Sequence, residues 1–314
     1  MTDTGYSQMR PGFQFLVFIA IMVVMLVIGV LIAIGVITLM YNFDTFMKVS
    51  QLQIDGPQDV RALWIIQFIT TTMPILAVPV FFAYVVVKEP ESYLKVKTGF
   101  PLQLLILVFF IMFMSLPIME QLSNINERLI LPPFLKNIED WMREHEKAAE
   151  KATNILLKMD TVWDMIKAVL FVGGLTAVVE ELMFRGALQT IFIRWTKNHH
   201  AAIWITAALF SAFHMEFFGF LPRLMLGVFF GYFVYWSGSI WTSIWAHFIN
   251  NGTAVVLTYL YQHKTIKTNP DDTHVFSLLG YVFSIIITVL LLINYRNIAI
   301  AGNGNLTADG TELD

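Results

Sequence analysis

The chain has 314 residues, of which 57% are hydrophobic, 14% aromatic and only 14% charged, with a mean hydropathy of +0.66. Soluble domains carry about 25% charged residues, so the deficit points to lipid-facing surface. A formal net charge of -3 gives no electrostatic case for nucleic acid, and the lack of cysteine excludes disulfides, thiolate metal sites and a cysteine nucleophile.

A helix needs roughly 20 apolar residues to cross the hydrocarbon core. The stretches that qualify are Phe13–Met40, Leu63–Val87, Leu102–Met119, Met165–Phe192, Ala201–Phe218, Leu221–Trp236, Ile240–Leu260 and Val275–Ile293. The expected architecture is all-α: a polytopic integral membrane protein of about eight transmembrane helices. The count falls to seven if the fifth and sixth, parted by a turn near Gly219 and Pro222, form one broken hairpin. Phe13–Met40 is too long for a signal-peptide core and no small-residue cleavage site follows it, so it reads as a retained helix.

An N-terminus placed inside puts Arg10, Lys88, Lys95, Lys97, Arg194, Lys197 and Arg296 on the cytoplasmic side, against Lys48, Arg61, Arg223, Lys264 and Lys267 opposite. The positive-inside rule favours this arrangement by a small margin, with both termini cytoplasmic. The long polar connection, Gln121 to Asp160, carries Phe134, Leu135, Ile138, Trp141 and Met142 at helical spacing before alternating charges. Its second half reads as an amphipathic helix with a charged outer face, the simplest role for which is a solvated linker. His145-Glu146 begins like a zinc-binding His-Glu-x-x-His, but Ala149 stands where the second histidine belongs. The tail after Arg296 is expected to be disordered. The organisation expected is residues 1–160 as N-terminal membrane helices plus linker, 161–262 as a helical core with the chemistry, and 263–314 as the last span and tail.

The fourth span contains Glu180-Glu181-x-x-x-Arg185. Ionisable residues inside a membrane are costly and by default mark a functional site. Glu181 and Arg185 are four apart with the acid first, the favourable order for an ion pair. Glu180 is rotated about 100° away and needs another partner. Carboxyl groups in apolar surroundings are suited to proton transfer, which assigns Glu180 to chemistry and the Glu181–Arg185 pair to support. Gly173, Gly174 and Gly186 flank the group, and small residues let helices approach closely.

The next spans hold Phe210-x-x-x-His214 and His247-x-x-x-Asn251. His214 alone reads as an interfacial or core histidine. His247 and Asn251 share a helix face; they suit an oxyanion site, a metal-proximal pair or a polar contact between helices. At about 1.5 Å per residue, straight helices leave His214 near the face opposite Glu180 and His247. The groups converge only if the fifth helix is tilted, broken or begins before Ala201.

In order, type and internal spacing, the three motifs over roughly Met165 to Leu260 resemble the CPBP family of intramembrane proteases. That family includes the CAAX prenyl endopeptidases of the Ras-converting type and bacterial relatives linked to bacteriocin self-immunity. The resemblance implies an active site in a helix-lined intramembrane cavity, expected to open toward the cytoplasm. It implies that Glu180 and His214 activate the hydrolytic water, that His247 and Asn251 stabilise the oxyanion, and that Glu181 and Arg185 support the site. It names zinc as the supposed metal, with Glu180, His214 and His247 as the ligands where one is bound. The substrate implied is a membrane-associated protein or peptide, prenylated by analogy with CAAX proteins, and the location a bacterial cell membrane. Two other classes share the motifs' features: a catalytically silent immunity or scaffold protein, and a transporter or proton relay. The last calls for inverted repeats and paired broken helices, which the sequence does not display.

Overall fold

The computed structural model describes residues 9–304 apart from 130, 271, 273 and 274. Among these residues there is helix and no strand. We number the main helices α1 (Pro11–Met40), α2 (Phe43–Ser50), α3 (Pro57–Val87), α4 (Gln103–Met114), α5 (Leu116–Glu127), α6 (Lys136–Leu156), α7 (Val162–Thr196), α8 (His199–Phe213), α9 (Phe220–Ser237), α10 (Trp241–Gln262) and α11 (Leu278–Gly304). The all-helical membrane architecture is as expected, but the count of eight spans is not reached by length and composition. Five helices (α1, α3, α7, α9 with the preceding turn, α11) are long and apolar enough to cross, and a sixth span arises if α4 and α5, bent by 43°, count together. The reasons are local. α8 has 15 residues, about 22 Å against a hydrocarbon core of about 30 Å. α10 carries Thr242, Ser243, His247, Asn250 and Asn251.

Boundaries move for physical reasons. Thr161 and Asp164 form a reciprocal capping box that starts α7 before Met165. Pro117 sits in the first turn of α5, where its missing N–H costs nothing, and the helix then runs to Glu127 into what reads as linker. α6 is helical over the expected amphipathic stretch and has no buried residue. Helix α11 continues past Arg296 to Gly304, so the start of the expected disordered tail is helical; positions 305–314 lie outside the described residues.

Gly12 lies against Trp195, and Gly302 against Pro101, which precedes α4. Both described ends of the chain therefore lie at one end of the bundle, called here the Trp195 end. One apolar core gathers Phe18, Phe82, Tyr93, Phe184 and Phe192 from α1, α3, the segment after α3 and α7. A second joins Leu104, Ile111, Phe230, Phe233, Ile249 and Tyr295 from α4, α9, α10 and α11. Outward-facing residues on α1 (Leu31, Leu39) and α11 (Leu279, Leu290) remain exposed and apolar, the pattern of helices whose outer solvent is lipid.

Candidate active site

Helix α7 is not uniform. It widens to turns closed by i→i+5 hydrogen bonds over Val169–Leu175 and Leu182–Leu188, with the short α-helical run Thr176–Glu181 between them. Such wide turns are frequent at functional sites, and here they flank the two glutamates. Glu181 and Arg185 are both 0% exposed and pair at 2.9 Å (Nη1 to Oε1). Arg185 Nη2 donates to the Gly227 carbonyl on α9 at 3.0 Å. Its guanidinium lies 4.4 Å from the Phe210 ring centroid and 5.2 Å from that of Phe230. A buried cation is tolerable only when paired and hydrogen-bonded; here aromatic faces supply the remaining walls.

The same Glu181 Oε1 accepts from His247 Nδ1 at 2.9 Å. The His247 ring stacks on Phe230, with centroids 5.1 Å apart and planes at 22°, and stands edge-on to Phe210. His214 Nδ1 faces the Phe210 carbonyl at 2.9 Å. A carbonyl only accepts, and so does a carboxylate held by arginine. Each Nδ1 is therefore the donor, which leaves each Nε2 with its lone pair in the neutral ring. Both Nε2 atoms face Glu180 Oε2, at 3.8 Å each. That oxygen is buried and accepts no hydrogen bond among the described residues. Three acceptors thus converge at a separation too long for direct hydrogen bonds and suited to one bridging water.

The depth problem is resolved by register. α7 ends at Thr196; Lys197 takes the left-handed conformation (φ 53°), and the Asn198 side chain caps α8. Glu180 is about sixteen residues before the end of α7 and His214 about fifteen after the start of α8, roughly 24 and 22 Å along antiparallel axes. The two groups therefore meet at one level. α8 begins at His199, before Ala201, and stops at His214 instead of running to Phe218.

Asn251 lies one turn beyond His247. Its Nδ2 donates to the Val172 carbonyl at 3.3 Å and its Oδ1 accepts from Asn250 at 3.1 Å. A carboxamide nitrogen carries two N–H groups, of which Val172 uses one. Gly173 meets the backbone of Gly252 and Gly186 meets Leu94, while Gly174 is more loosely packed. His199 and His200 form the first turn of α8; His199 stacks on Tyr235, and His200 Nδ1 lies 2.7 Å from the Tyr232 hydroxyl. The sequence reading passed over Phe230 and the Gly227–Gly231 stripe that receives Arg185 and Gln189. The small-x-x-x-small spacing of the two glycines was the available signal; nothing in sequence marks Phe230.

Glu180, His214 and His247 carry the donor types that zinc takes. With bonds of about 2.0–2.1 Å, however, tetrahedral zinc holds its donors about 3.3 Å apart. The two separations here are 3.8 Å, and among the described residues no group of three His, Cys, Asp or Glu is disposed to hold a metal. The set does not fit the ion in this geometry.

Comparison with known proteins converges on the same segment. Residues 162–253 match the family model described as type II CAAX prenyl endopeptidase Rce1-like. This segment is an Rce1-like domain. It includes Glu180, Glu181, Arg185, His214, His247 and Asn251, and it covers well under half of the chain. The chain is also similar to the uncharacterized protein YpbD of Bacillus subtilis (strain 168), 26% identical over 114 residues, which is 35% of this chain and 54% of that protein. The chain thus spans about half the length of this curated relative. No solved structure matches. The Rce1-like domain and the apolar helices around it are those of an integral membrane protein.

Proposed function

We propose that the protein is an intramembrane endopeptidase that hydrolyses a peptide bond in a membrane-associated protein or peptide. The observation that carries this reading is the convergence of His214 Nε2 and His247 Nε2 on the otherwise unbonded Glu180 Oε2, at 3.8 Å each. A water lodged among these atoms donates to Glu180 and to His214 and gives one proton to Glu180 as it attacks the carbonyl carbon, its second O–H staying on His214 Nε2. Glu180 is the general base. Negative charge then collects on the carbonyl oxygen. The second N–H of Asn251 stabilises it, joined by His247 Nε2 once that nitrogen carries a proton drawn from solvent, which it releases again when the intermediate collapses. Glu181 and Arg185 act by holding the His247 ring through Nδ1. The collapse step returns the proton from Glu180 to the leaving amine.

The test is cleavage of prenylated and unmodified fluorogenic membrane peptides by purified wild-type protein and a Glu180→Gln variant in detergent, with and without a chelator. Loss of the general base lowers the rate by about 10²–10⁴-fold. Wild-type rates from the variant reject the assignment. The chelator arm decides whether a metal takes part.

A further inference from the structure

His214 belongs to the end of α8 and the loop that follows, and that loop is held both from inside the Rce1-like domain and from outside it. Met215, the next residue, sits in the left-handed region at φ 55°. A non-glycine residue there is strained and persists only when its surroundings over-determine it. Within the domain, Ser211 Oγ donates to the Phe220 carbonyl at 2.7 Å and Glu216 pairs with Arg223. Arg223 Nη1 also donates to the Glu216 carbonyl, and Met215 N–H to that of Ala212; further restraint comes from outside the domain. Asn126 near the end of α5, 1% exposed, donates from Nδ2 to the Phe217 carbonyl and accepts at Oδ1 from the Leu221 N–H, both at 2.8 Å. One carboxamide thus ties both sides of the short Phe217–Gly219 turn. Helix α6 covers the same turn: the Arg143 guanidinium lies 4.2 Å above the Phe218 ring, and Trp141 packs 5.7 Å from Phe217. Glu146 accepts from the Phe218 N–H at 3.4 Å.

We propose that Asn126 is a positioning residue for His214, clamping the 215–221 loop from outside the Rce1-like domain, with α6 as its backing. The proposal rests on the protease reading for its kinetic consequence but not for its structural one. It gives the segment between α5 and α7 a task that a solvated linker does not have. His214 is the most exposed of the three converging groups, with 26% of its side chain open against 11% for Glu180 and 4% for His247. Its place is therefore the one most dependent on the loop. A displacement of about 1 Å in a catalytic group costs about a hundredfold in rate.

The experiment follows carbethoxylation of His214 and His247 in full-length protein by mass spectrometry, beside kcat and KM. The variants are Asn126→Leu, which removes both hydrogen bonds, and Asn126→Asp, which is isosteric, keeps the acceptor for Leu221 and sets a carboxylate oxygen against the Phe217 carbonyl. The expected result is faster modification of His214 in both variants, larger in Asn126→Leu. His247 stays at its wild-type rate, and kcat falls about a hundredfold in Asn126→Leu with KM nearly unchanged. An unchanged His214 rate in the isosteric variant overturns the proposal. Equal acceleration at both histidines also overturns it, since that is general loosening. If wild-type protein cleaves no peptide, the protease reading has failed, and the modification rates still decide the clamp.

Discussion

Arg185 heads the fully buried side chains of this protein by volume. It is held by one carboxylate, one carbonyl and the faces of Phe210 and Phe230, while its Nε has no hydrogen-bond partner among the described residues. Removing one member of a buried ion pair strands the other in a medium that solvates it poorly, at about 3–5 kcal/mol. Arg185→Met therefore destabilises by that order, because Glu181 keeps only the His247 N–H. Glu181→Gln strands the Arg185 cation and destabilises by the same order, although its carboxamide oxygen still accepts from both. In the double variant no buried charge is stranded, so its loss falls short of the sum of the singles. Denaturation of the detergent-solubilised protein measures all three, and simple additivity would show that the two residues do not act as a pair. The i, i+4 order of Glu181 and Arg185, and the different facing of Glu180, were legible in sequence because they are properties of a single helix. The aromatic cage was not: Phe210 and Phe230 reach Arg185 from two other helices.

Helix packing is set by where side chains are missing. A Cβ built on Gly231 falls 2.8 Å from Ile203 Cγ2 and 2.9 Å from Gln189 Oε1; on Gly227 it falls 3.0 Å from Ala207 Cβ and 3.2 Å from Arg185 Nη2. The bare face of α9 is thus what lets α7 and α8 approach. Gly231→Ala forces a buried shift and destabilises by about 1–3 kcal/mol. Gly35→Ala in α1, where nothing lies within 4 Å, leaves the melting temperature unchanged or slightly raised. A melting comparison in one detergent checks the pair, and equal behaviour would deny the close approach. Sequence reading found Gly173 and Gly186 but passed over the α9 stripe, and it took α8 for a full span. The hairpin register explains why that mattered. Depth in a bundle is counted from the shared turn at Lys197–Asn198, and the motif spacing carries no record of that turn.

Over the whole molecule, the membrane character and helical class follow from composition and the long apolar runs, and the Rce1-like segment from three short motifs. The contribution of the rest does not. Asn126 meets Phe217 and Leu221 across more than ninety residues of chain, and no local pattern signals a contact so remote. The course of the chain places Arg10 and Lys197 at the Trp195 end, while the 214–219 loop, α6 and the segment around Lys267 lie at the other. Because the protein has no cysteine, single replacements report sidedness directly. Arg10→Cys and Lys197→Cys are expected to react with an impermeant maleimide from one face of sealed vesicles, and Lys267→Cys from the other. Labelling of all three from one face would refute this topology.

The buried cluster also has a charge balance. Glu180 and Glu181 against Arg185 give it one formal negative charge, and the rings of Phe184, Phe210 and Phe230 pack around the arginine. In such surroundings charges act on one another far more strongly than in solvent. A second negative charge, as on the carbonyl oxygen of an attacked peptide, is admitted only in company with a positive one. On the protease reading, growth of that charge calls for a proton at His247 Nε2, on the imidazole that Glu181 tethers.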